Sequence, residues 1–194
     1  MAAVVLAAGK SSRFGSDKRL NILSSGVPMA VQSILNLTAL GIDVFVVIKP
    51  EDRLPECFKQ CVGVKPPPKT VHWVTCEDHA LGMGHSLSCG AQAVDQAGFD
   101  ACLVALADMP FIQVSTLEML VQFLAAGHSL VRPTYKSTPG HPVGFARKWF
   151  PKLISSTGDE GAKPWLKAFA HQMKRIEVHD PGVLKDIDRM SDFD

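Results

Sequence analysis

The sequence predicts an α/β protein whose mostly parallel sheet is covered by helices on both faces. Two observations support this class. Short apolar runs, which are typical of buried strands, alternate along the chain with segments of helical periodicity. The runs are also nearly continuous, as in Val4–Ala8 and Ala101–Ala107, which is the pattern of strands buried on both sides. No internal repeat or low-complexity segment interrupts this alternation.

Each predicted strand is a short apolar run. The strands are Val4–Ala8, Val44–Ile48, Val71–Thr75, Ala101–Ala107, Ser129–Arg132, Val143–Ala146, Arg175–Val178 and Leu184–Ile187. In a parallel sheet, ligands bind beyond the carboxyl ends of the strands. The residues that follow the first strand and the Ala101–Ala107 strand are therefore expected to face one crevice.

The predicted helices follow from apolar spacing and from their end signals. They are Pro28–Leu40, a weak Glu51–Cys61 interrupted by Pro55, Gly84–Ala97, a helix from Ser115 that ends before Gly127, and Gly161–His171. Ser115 with Glu118 three residues later has the pattern of a capping box. Gly41 is expected to end the first helix.

Length and composition limit the class of protein. The 194 residues, 46% of them hydrophobic, fit one domain over residues 1–194. With 20 basic and 19 acidic side chains, no basic excess favours nucleic acid or a membrane surface. The apolar runs are too short to span a membrane, and a signal peptide is not expected. Five cysteines without framework spacing indicate reduced thiols and a cytoplasmic protein.

The loop after the first strand has the composition of a phosphate site. Its small residues are expected to leave backbone N–H groups uncovered for an anion: Ala7, Ala8, Gly9, Ser11, Ser12 and Gly15. Arg13 adds a planar fork for phosphate and Lys18 a point charge. The loop is not a P-loop, because Val4 stands where that motif needs glycine.

Asp108 ends a buried strand and is the leading candidate for a metal ligand. A carboxylate at such a position needs a cation, and Mg²⁺ favours one or two carboxylates together with substrate phosphates. Asp186 or Asp188 of the tail is expected to supply a second carboxylate. The alternatives are an aspartate that caps the next turn and an acidic tail in solvent.

Two further motifs contain polar or small residues at loop ends. Gly82, Gly84 and Ser86 precede or open a helix, where amides and the hydroxyl can bind a base edge or phosphate, or simply start the helix. His141, between a glycine and a proline, is a candidate contact to ribose or acceptor, with a structural role as the alternative.

A zinc site is the main competing interpretation of the histidines and cysteines. Cysteine and histidine recur at short spacings in one stretch of the chain, at Cys76, His79, His85 and Cys89. The loop between the two pairs is unusually short for a closed tetrahedral finger.

Together the motifs resemble those of the MobA-like nucleotidyltransferases, and most closely the molybdenum cofactor cytidylyltransferase (MocA-like) group. The likeness covers nearly the whole chain: Leu6 through Lys18, Ala107-Asp108-Met109-Pro110, Gly82–Leu87, Gly140-His141-Pro142 and Gly158–Ala162. The tail Asp186-Ile187-Asp188 keeps the family's carboxylates but lacks its Thr-Pro.

The resemblance implies a three-layer Rossmann-like nucleotidyltransferase fold and a Mg²⁺-dependent reaction. Nucleoside monophosphate would pass from CTP, or alternatively GTP, to a phosphorylated acceptor such as molybdopterin, with release of pyrophosphate. In this scheme Arg13, Lys18 and Asp108 are catalytic, and Asp108 and Asp188 bind metal. Leu6, Ala7, Ala8, Gly9, Gly82, Gly84, Ser86 and His141 would bind the nucleotide or acceptor.

The resemblance also implies a client molybdoenzyme or a chaperone as a further partner. Three rival functions remain at this stage. They are a transferase acting on a sugar phosphate or another phospho-alcohol, a non-catalytic nucleotide-sensing domain, and a zinc-dependent interaction module.

Overall fold

Eight strands form one mixed sheet within residues 1–9, 17–62 and 70–187, which are the residues that the computed structural model describes. The strands are β1 (Ala2–Leu6), β2 (Asp43–Ile48), β3 (Val71–Thr75), β4 (Ala101–Leu106), β5 (Leu130–Tyr135), β6 (Thr138–Pro139), β7 (Val143–Ala146) and β8 (Lys174–Glu177). Their order is β3-β2-β1-β4-β7-β5-β6, and β8 pairs with β5.

Strands β1 to β4 are mutually parallel, and β1 lies between β2 and β4. Strand β7 is antiparallel to both β4 and β5, while β8 is parallel to β5. Since Leu6 pairs with Leu106, the carboxyl ends of β1 and β4 lie at the same level. The predicted α/β class with a mostly parallel sheet is confirmed.

Helices cover both faces of this sheet. They are α1 (Met29–Thr38), α2 (Leu54–Val62), α3 (Met83–Gln96), α4 (Val114–Ala125), α5 (Phe150–Ile154) and α6 (Lys163–Ala168). Short 3₁₀ turns occupy Lys18–Leu20, Glu77–Leu81, Arg147–Trp149, Ala170–Gln172 and Pro181–Leu184. No helix in the described ranges is long and apolar enough to cross a membrane.

Each face of the sheet has its own hydrophobic core. Alternate residues of β1 divide between them: Ala3 and Val5 pack with α1, α2 and α4, whereas Ala2 and Val4 pack with α3 and α5. This division follows from the two-residue period of a strand. The three-layer arrangement holds the strand ends, and the loops after them, on a rigid base.

Several strands and helices begin or end at other residues than the sequence predicts. Strands β3 and β7 have their predicted bounds, but β1 begins at Ala2 and ends at Leu6, so that Ala7 and Ala8 lie in the following loop. Helix α2 begins at Leu54 with Pro55 in its first turn, where a missing N–H costs nothing. The predicted interruption by Pro55 is therefore wrong.

The predicted capping box at Ser115 is also wrong. Helix α4 begins one residue earlier, and its cap comes from a distant part of the chain. Asp180 Oδ2 accepts hydrogen bonds from Gln113 N at 2.9 Å and from Thr116 Oγ1 at 2.8 Å. This tertiary contact satisfies the N–H of Gln113, which has no hydrogen-bond partner within the helix.

The carboxyl-terminal third departs most from prediction. The predicted Leu184–Ile187 strand is instead a 3₁₀ turn at Pro181–Leu184 followed by residues without regular structure. Gly182 packs so closely against the Phe111 carbonyl that a Cβ would overlap it. The predicted Gly161–His171 helix is divided into α6 and the Ala170–Gln172 turn, and α5 and β6 were not predicted.

Candidate active site

A cleft of about 830 Å³ opens beyond the carboxyl ends of β1 and β4. Leu6 and Leu106 end these strands and line it, and Asp108 follows directly after β4. The opposite wall comes from α6, from the loop around His141 and from the tail before Asp186. The predicted site residues Leu6, Asp108 and His141 therefore share one cleft.

Asp108 contacts Lys18, which lies at the end of the loop that follows β1. Lys18 Nζ donates to Asp108 Oδ2 at 2.9 Å and to the Ile187 carbonyl at 2.9 Å, and Ile187 N donates to the Asp108 carbonyl at 3.0 Å. Three segments that are far apart in sequence thus meet at one carboxylate. This is the juxtaposition expected if Asp108 and the first loop act together.

Helix α1 holds the Asp108 turn in place. Ser33 Oγ donates to the Ala107 carbonyl at 3.0 Å, and Asn36 Nδ2 donates to the carbonyls of Pro110 and Ile112 at 2.9 and 3.1 Å. Ala107 N donates back to the Leu6 carbonyl at 3.2 Å. The Asp108 backbone is therefore fixed from both sides, so its carboxylate has a defined position.

The remaining oxygen of Asp108 suits a cation. Oδ1 is buried and has no hydrogen-bond partner in the described part of the chain. A buried carboxylate oxygen without a donor is costly unless a ligand meets it, and a divalent metal fits. Asp186 also lines the cleft, whereas Asp188 and Arg13, both predicted site residues, lie outside the described residues.

The zinc interpretation is not supported. Over the described ranges, no group of three or more histidine, cysteine, aspartate or glutamate side chains is arranged to hold a metal. Cys89 Sγ donates to Cys76 Sγ at 2.8 Å, and burial together with Cys76 raises the pKa of Cys89 to about 12. These thiols, like the other three, are free.

Arg19 has a structural role that the sequence analysis missed. It is 4% exposed, and its guanidinium donates to Asp52 Oδ2 at 2.7 Å, to Asp17 Oδ1 at 2.7 Å and to the Ala7 carbonyl. Burial lowers the pKa of Arg19, but the hydrogen bonds to the two aspartates more than offset this and raise it. Arg19 therefore ties the end of the first loop to its beginning, next to Lys18.

The amide of Ala7 is not uncovered, contrary to prediction. Ala7 N donates to the Val47 carbonyl at 2.9 Å, so it continues the β1–β2 ladder. Ala8 is buried and Gly9 is exposed, with nothing within 4 Å of a Cβ added at Gly9. Within residues 1–9, Gly9 is therefore a loop position with room for a ligand.

Gly82 and Gly84 allow a close approach between two loops. A Cβ at Gly82 would lie 2.5 Å from the Gly158 carbonyl, and Gly84 N donates to that carbonyl oxygen at 2.7 Å. Ser86 is buried, and of this helix start it is Met83 and Leu87 that line the cleft. The contact of Gly82, Gly84 and Ser86 with a nucleotide stays a prediction.

His141 is held neutral at the wall of the cleft. Its backbone N donates to the Val183 carbonyl at 2.9 Å, and the His141–Pro142 peptide is cis. Burial, reinforced by the positive charges of Arg132 and Lys163, lowers the pKa of His141 from 6.5 to about 4. Its Nδ1 is buried and has no hydrogen-bond partner among the described residues.

An α/β sheet with a cleft beyond the carboxyl ends of two parallel strands, lined by an aspartate that pairs with Lys18, is a ligand-binding arrangement. The chain belongs to the family of MobA-like NTP transferase domains, whose model matches residues 3–176. It is therefore a nucleotidyltransferase of that family, and the resemblance seen in its motifs is confirmed.

Two curated relatives cover almost the whole chain. "Purine catabolism protein PucB" of Bacillus subtilis (strain 168) is 30% identical over 196 residues, which are 98% of this chain and 93% of that protein. A "Probable molybdenum cofactor guanylyltransferase" of Nostoc sp. (strain PCC 7120 / SAG 25.82 / UTEX 2576) is 25% identical over 95% of this chain and 84% of that protein.

A solved structure shows the same fold. Rv0371c of Mycobacterium tuberculosis H37Rv has a TM-score of 0.78 at 21% identity, covering 100% of this chain and 95% of that one. The same protein has also been solved as a complex with manganese, with a TM-score of 0.76 at 21% identity over 99% of this chain and 95% of that one.

Proposed function

We propose that this protein transfers a nucleoside monophosphate from a nucleoside triphosphate to a phosphorylated acceptor such as molybdopterin, and releases pyrophosphate. The observation that carries the proposal is the 2.9 Å contact between Lys18 Nζ and Oδ2 of Asp108, which lines the cleft at the strand ends. CTP is favoured by the motif resemblance. GTP is the alternative, since the Nostoc relative is named a guanylyltransferase.

The chain's own residues would act mainly by positioning and by charge. The acceptor phosphate attacks the α-phosphorus in line, the bond from that phosphorus to the bridging oxygen breaks, and pyrophosphate leaves with the electron pair. The nucleophile is already an anion, so no strong general base is required. Lys18 would neutralise charge on the phosphates, and Arg13 and the amide of Gly9 are proposed to share this role.

Asp108 Oδ1 is the proposed attachment point of a divalent cation, with Asp186 or Asp188 as the second carboxylate. Mg²⁺, when bound, supplies charge neutralisation of the triphosphate and the leaving pyrophosphate. The unpartnered, buried Oδ1 supports this assignment. The manganese complex of a protein with the same fold is consistent with a divalent ion of this size.

A cytoplasmic location is part of the proposal. All five cysteines are free thiols, including Cys76 and Cys89 at 2.8 Å from each other. Free thiols in contact are expected where the surroundings are reducing. A molybdoenzyme or chaperone that receives the product is proposed on the family resemblance alone.

The test is a screen for metal-dependent pyrophosphate release. Purified protein is incubated with each of the four common triphosphates and a panel of phosphorylated acceptors, molybdopterin included, with Mg²⁺, with Mn²⁺ and with a chelator. We expect release that depends on both metal and acceptor, and is fastest with CTP or GTP and molybdopterin. Release only with sugar phosphates would overturn the acceptor, and triphosphate binding without turnover would indicate a sensor.

A further inference from the structure

Two arginines lie side by side in the cleft, on the side that is formed by β5 and β8 and not by β1 and β4. Arg132 of β5 and Arg175 of β8 are register partners in a parallel pair, so their side chains share one face of the sheet. Both line the cleft, as do Lys163 and Lys167 of α6. Strand β5 lies two strands from β4, or about 10 Å at ordinary strand spacing.

In the described part of the chain, neither Arg132 nor Arg175 forms an ion pair with a carboxylate, and Arg132 Nε donates only to the Gly140 carbonyl at 2.7 Å. Glu177 lies next to them on the same face but accepts from Thr134 Oγ1 at 2.6 Å. Burial, together with the charge of Arg175, lowers the pKa of Arg132. Two adjacent like charges in a cleft are unfavourable until an anion joins them.

His141 points to the same conclusion independently. Its buried Nδ1 lacks a partner, and the nearby charges that act on it are those of Arg132 and Lys163. A neutral imidazole can donate one hydrogen bond to an oxyanion while the arginines supply the charge. Gly140 leaves no room for a Cβ, which would lie 2.5 Å from the Val183 carbonyl, so this loop is packed in one position.

We infer that Arg132, Arg175 and His141, with Lys163 beside them, form an oxyanion subsite that binds a phosphate-type group of the acceptor. This inference rests on the proposed function and names the part of the cleft where the acceptor is held. Phe145, Leu166 and Met173 line the same cleft, so an acceptor that fits carries an apolar or aromatic body beside its anionic group. The triphosphate is assigned to the Asp108 side.

The subsite is tested directly with inorganic phosphate as the probe. Phosphate is titrated into the wild-type protein while the imidazole nitrogens of His141 are followed by NMR, with their signals assigned by comparison with His141→Asn. Arg175→Gln is the main variant, because Arg175 is exposed and donates no hydrogen bond within the described residues. Arg147→Gln, an exposed arginine outside the cleft that pairs with Asp95 at 2.8 Å, is the matched control.

We expect a saturable change at His141 in the wild type and in Arg147→Gln, and a dissociation constant about tenfold higher in Arg175→Gln, the loss expected for one charged hydrogen bond. No change at His141 in the wild type, or the same affinity in both variants, would overturn the subsite. The phosphate titration does not depend on turnover, so it tests the oxyanion subsite even if the proposed reaction is not observed.

Steady-state kinetics separate the acceptor from the triphosphate. With the acceptor found in the screen, Arg175→Gln should raise the KM for acceptor about tenfold and leave the KM for triphosphate unchanged. A rise in the KM for triphosphate alone would assign the arginines to the nucleotide and refute the acceptor subsite. Loss of kcat with both KM values unchanged would refute it as well.

Discussion

The two sides of the cleft handle charge in opposite ways. On the β1–β4 side, Lys18 pairs with Asp108 at 2.9 Å, and Arg19 behind it pairs with both Asp17 and Asp52. On the β5–β8 side, Arg132 and Arg175 lie next to each other without an ion pair in the described part of the chain. The charges of the first side pair with one another, whereas the two arginines of the second side have no ion-pair partner among the described residues.

This difference shows what each side is built for. Charged side chains that pair with one another hold their positions before a ligand binds. An in-line displacement requires reacting groups that are positioned in this way. Two neighbouring cations that have no counter-ion within the protein can bind an anionic group of a ligand. The paired side is therefore the expected place of chemistry, and the unpaired side the expected place of acceptor recognition.

The largest effect on stability is expected from breaking the buried network. Asp52 and Arg19 have side-chain exposures of 0% and 4%, so Asp52→Ala would leave a buried guanidinium half-paired. We expect the free energy of unfolding to fall by about 3–5 kcal/mol, measured by chemical denaturation. In the exposed pair Arg147–Asp95, at 47% and 38%, Asp95→Ala should cost less than about 1 kcal/mol. Equal losses in the two variants would contradict the network.

Lys18 should matter to turnover more than to folding. Lys18→Met keeps the aliphatic stem but removes the charge that faces Asp108, so we expect kcat to fall about a hundredfold or more. Lys49→Met is the control, because the Lys49 side chain is 41% exposed and its ion pair with Asp17 is long, at 3.9 Å. It should keep near wild-type turnover. A Lys18→Met protein with normal kcat would remove this side chain from the reaction.

His141, on the side of the cleft with the unpaired arginines, should make the free energy of unfolding depend on pH. Its folded pKa of about 4 lies below the unfolded value of 6.5, so the unfolded state binds more protons between these values. The stability due to neutral His141 is complete above pH 6.5 and is lost as pH falls towards 4. Between pH 7.5 and 5 we expect a loss of about 2 kcal/mol in the wild type.

The matched variant isolates this contribution. His141→Asn has no imidazole to titrate, so its unfolding free energy should fall less over the same pH range, by about the 2 kcal/mol assigned to His141. Denaturation curves of both proteins at pH 7.5 and 5 provide the measurement. Parallel pH dependences would mean that burial and the neighbouring cations do not lower the pKa of His141 as described.

The sequence predicted the paired side better than the unpaired one. Lys18, at the end of the first loop, contacts Asp108 as expected, because that loop and Asp108 both follow apolar strands whose carboxyl ends lie at the same level. Arg132 and Arg175 lie at the ends of the predicted strands Ser129–Arg132 and Arg175–Val178, and the apolar pattern of a strand carries no information about the contacts of its charged end residues. Their pairing depends on register between β5 and β8, and no local pattern contains it.

Tertiary contacts explain the other failures. Ser115 has a local capping pattern, yet Asp180, 67 residues from Gln113, supplies the cap. Arg19 stands one residue after a predicted phosphate ligand, and its pairing with Asp52, 33 residues away, appears only in three dimensions. In place of the predicted tail strand, Ile187 N donates to the Asp108 carbonyl at 3.0 Å, and Gly182 packs against the Phe111 carbonyl. A signal for Arg19 existed in the Asp17-Lys18-Arg19 run, where an acidic neighbour offers a partner.

The most direct measurement is pyrophosphate release by Asp108→Asn, read beside its thermal melt. The variant keeps the shape of the side chain but loses the charge that meets Lys18 and the proposed cation. We expect release to fall by about a thousandfold or more while Tm stays within about 3 °C of the wild type. Release at the wild-type rate from a folded Asp108→Asn protein would contradict the assignment of the reaction to this carboxylate.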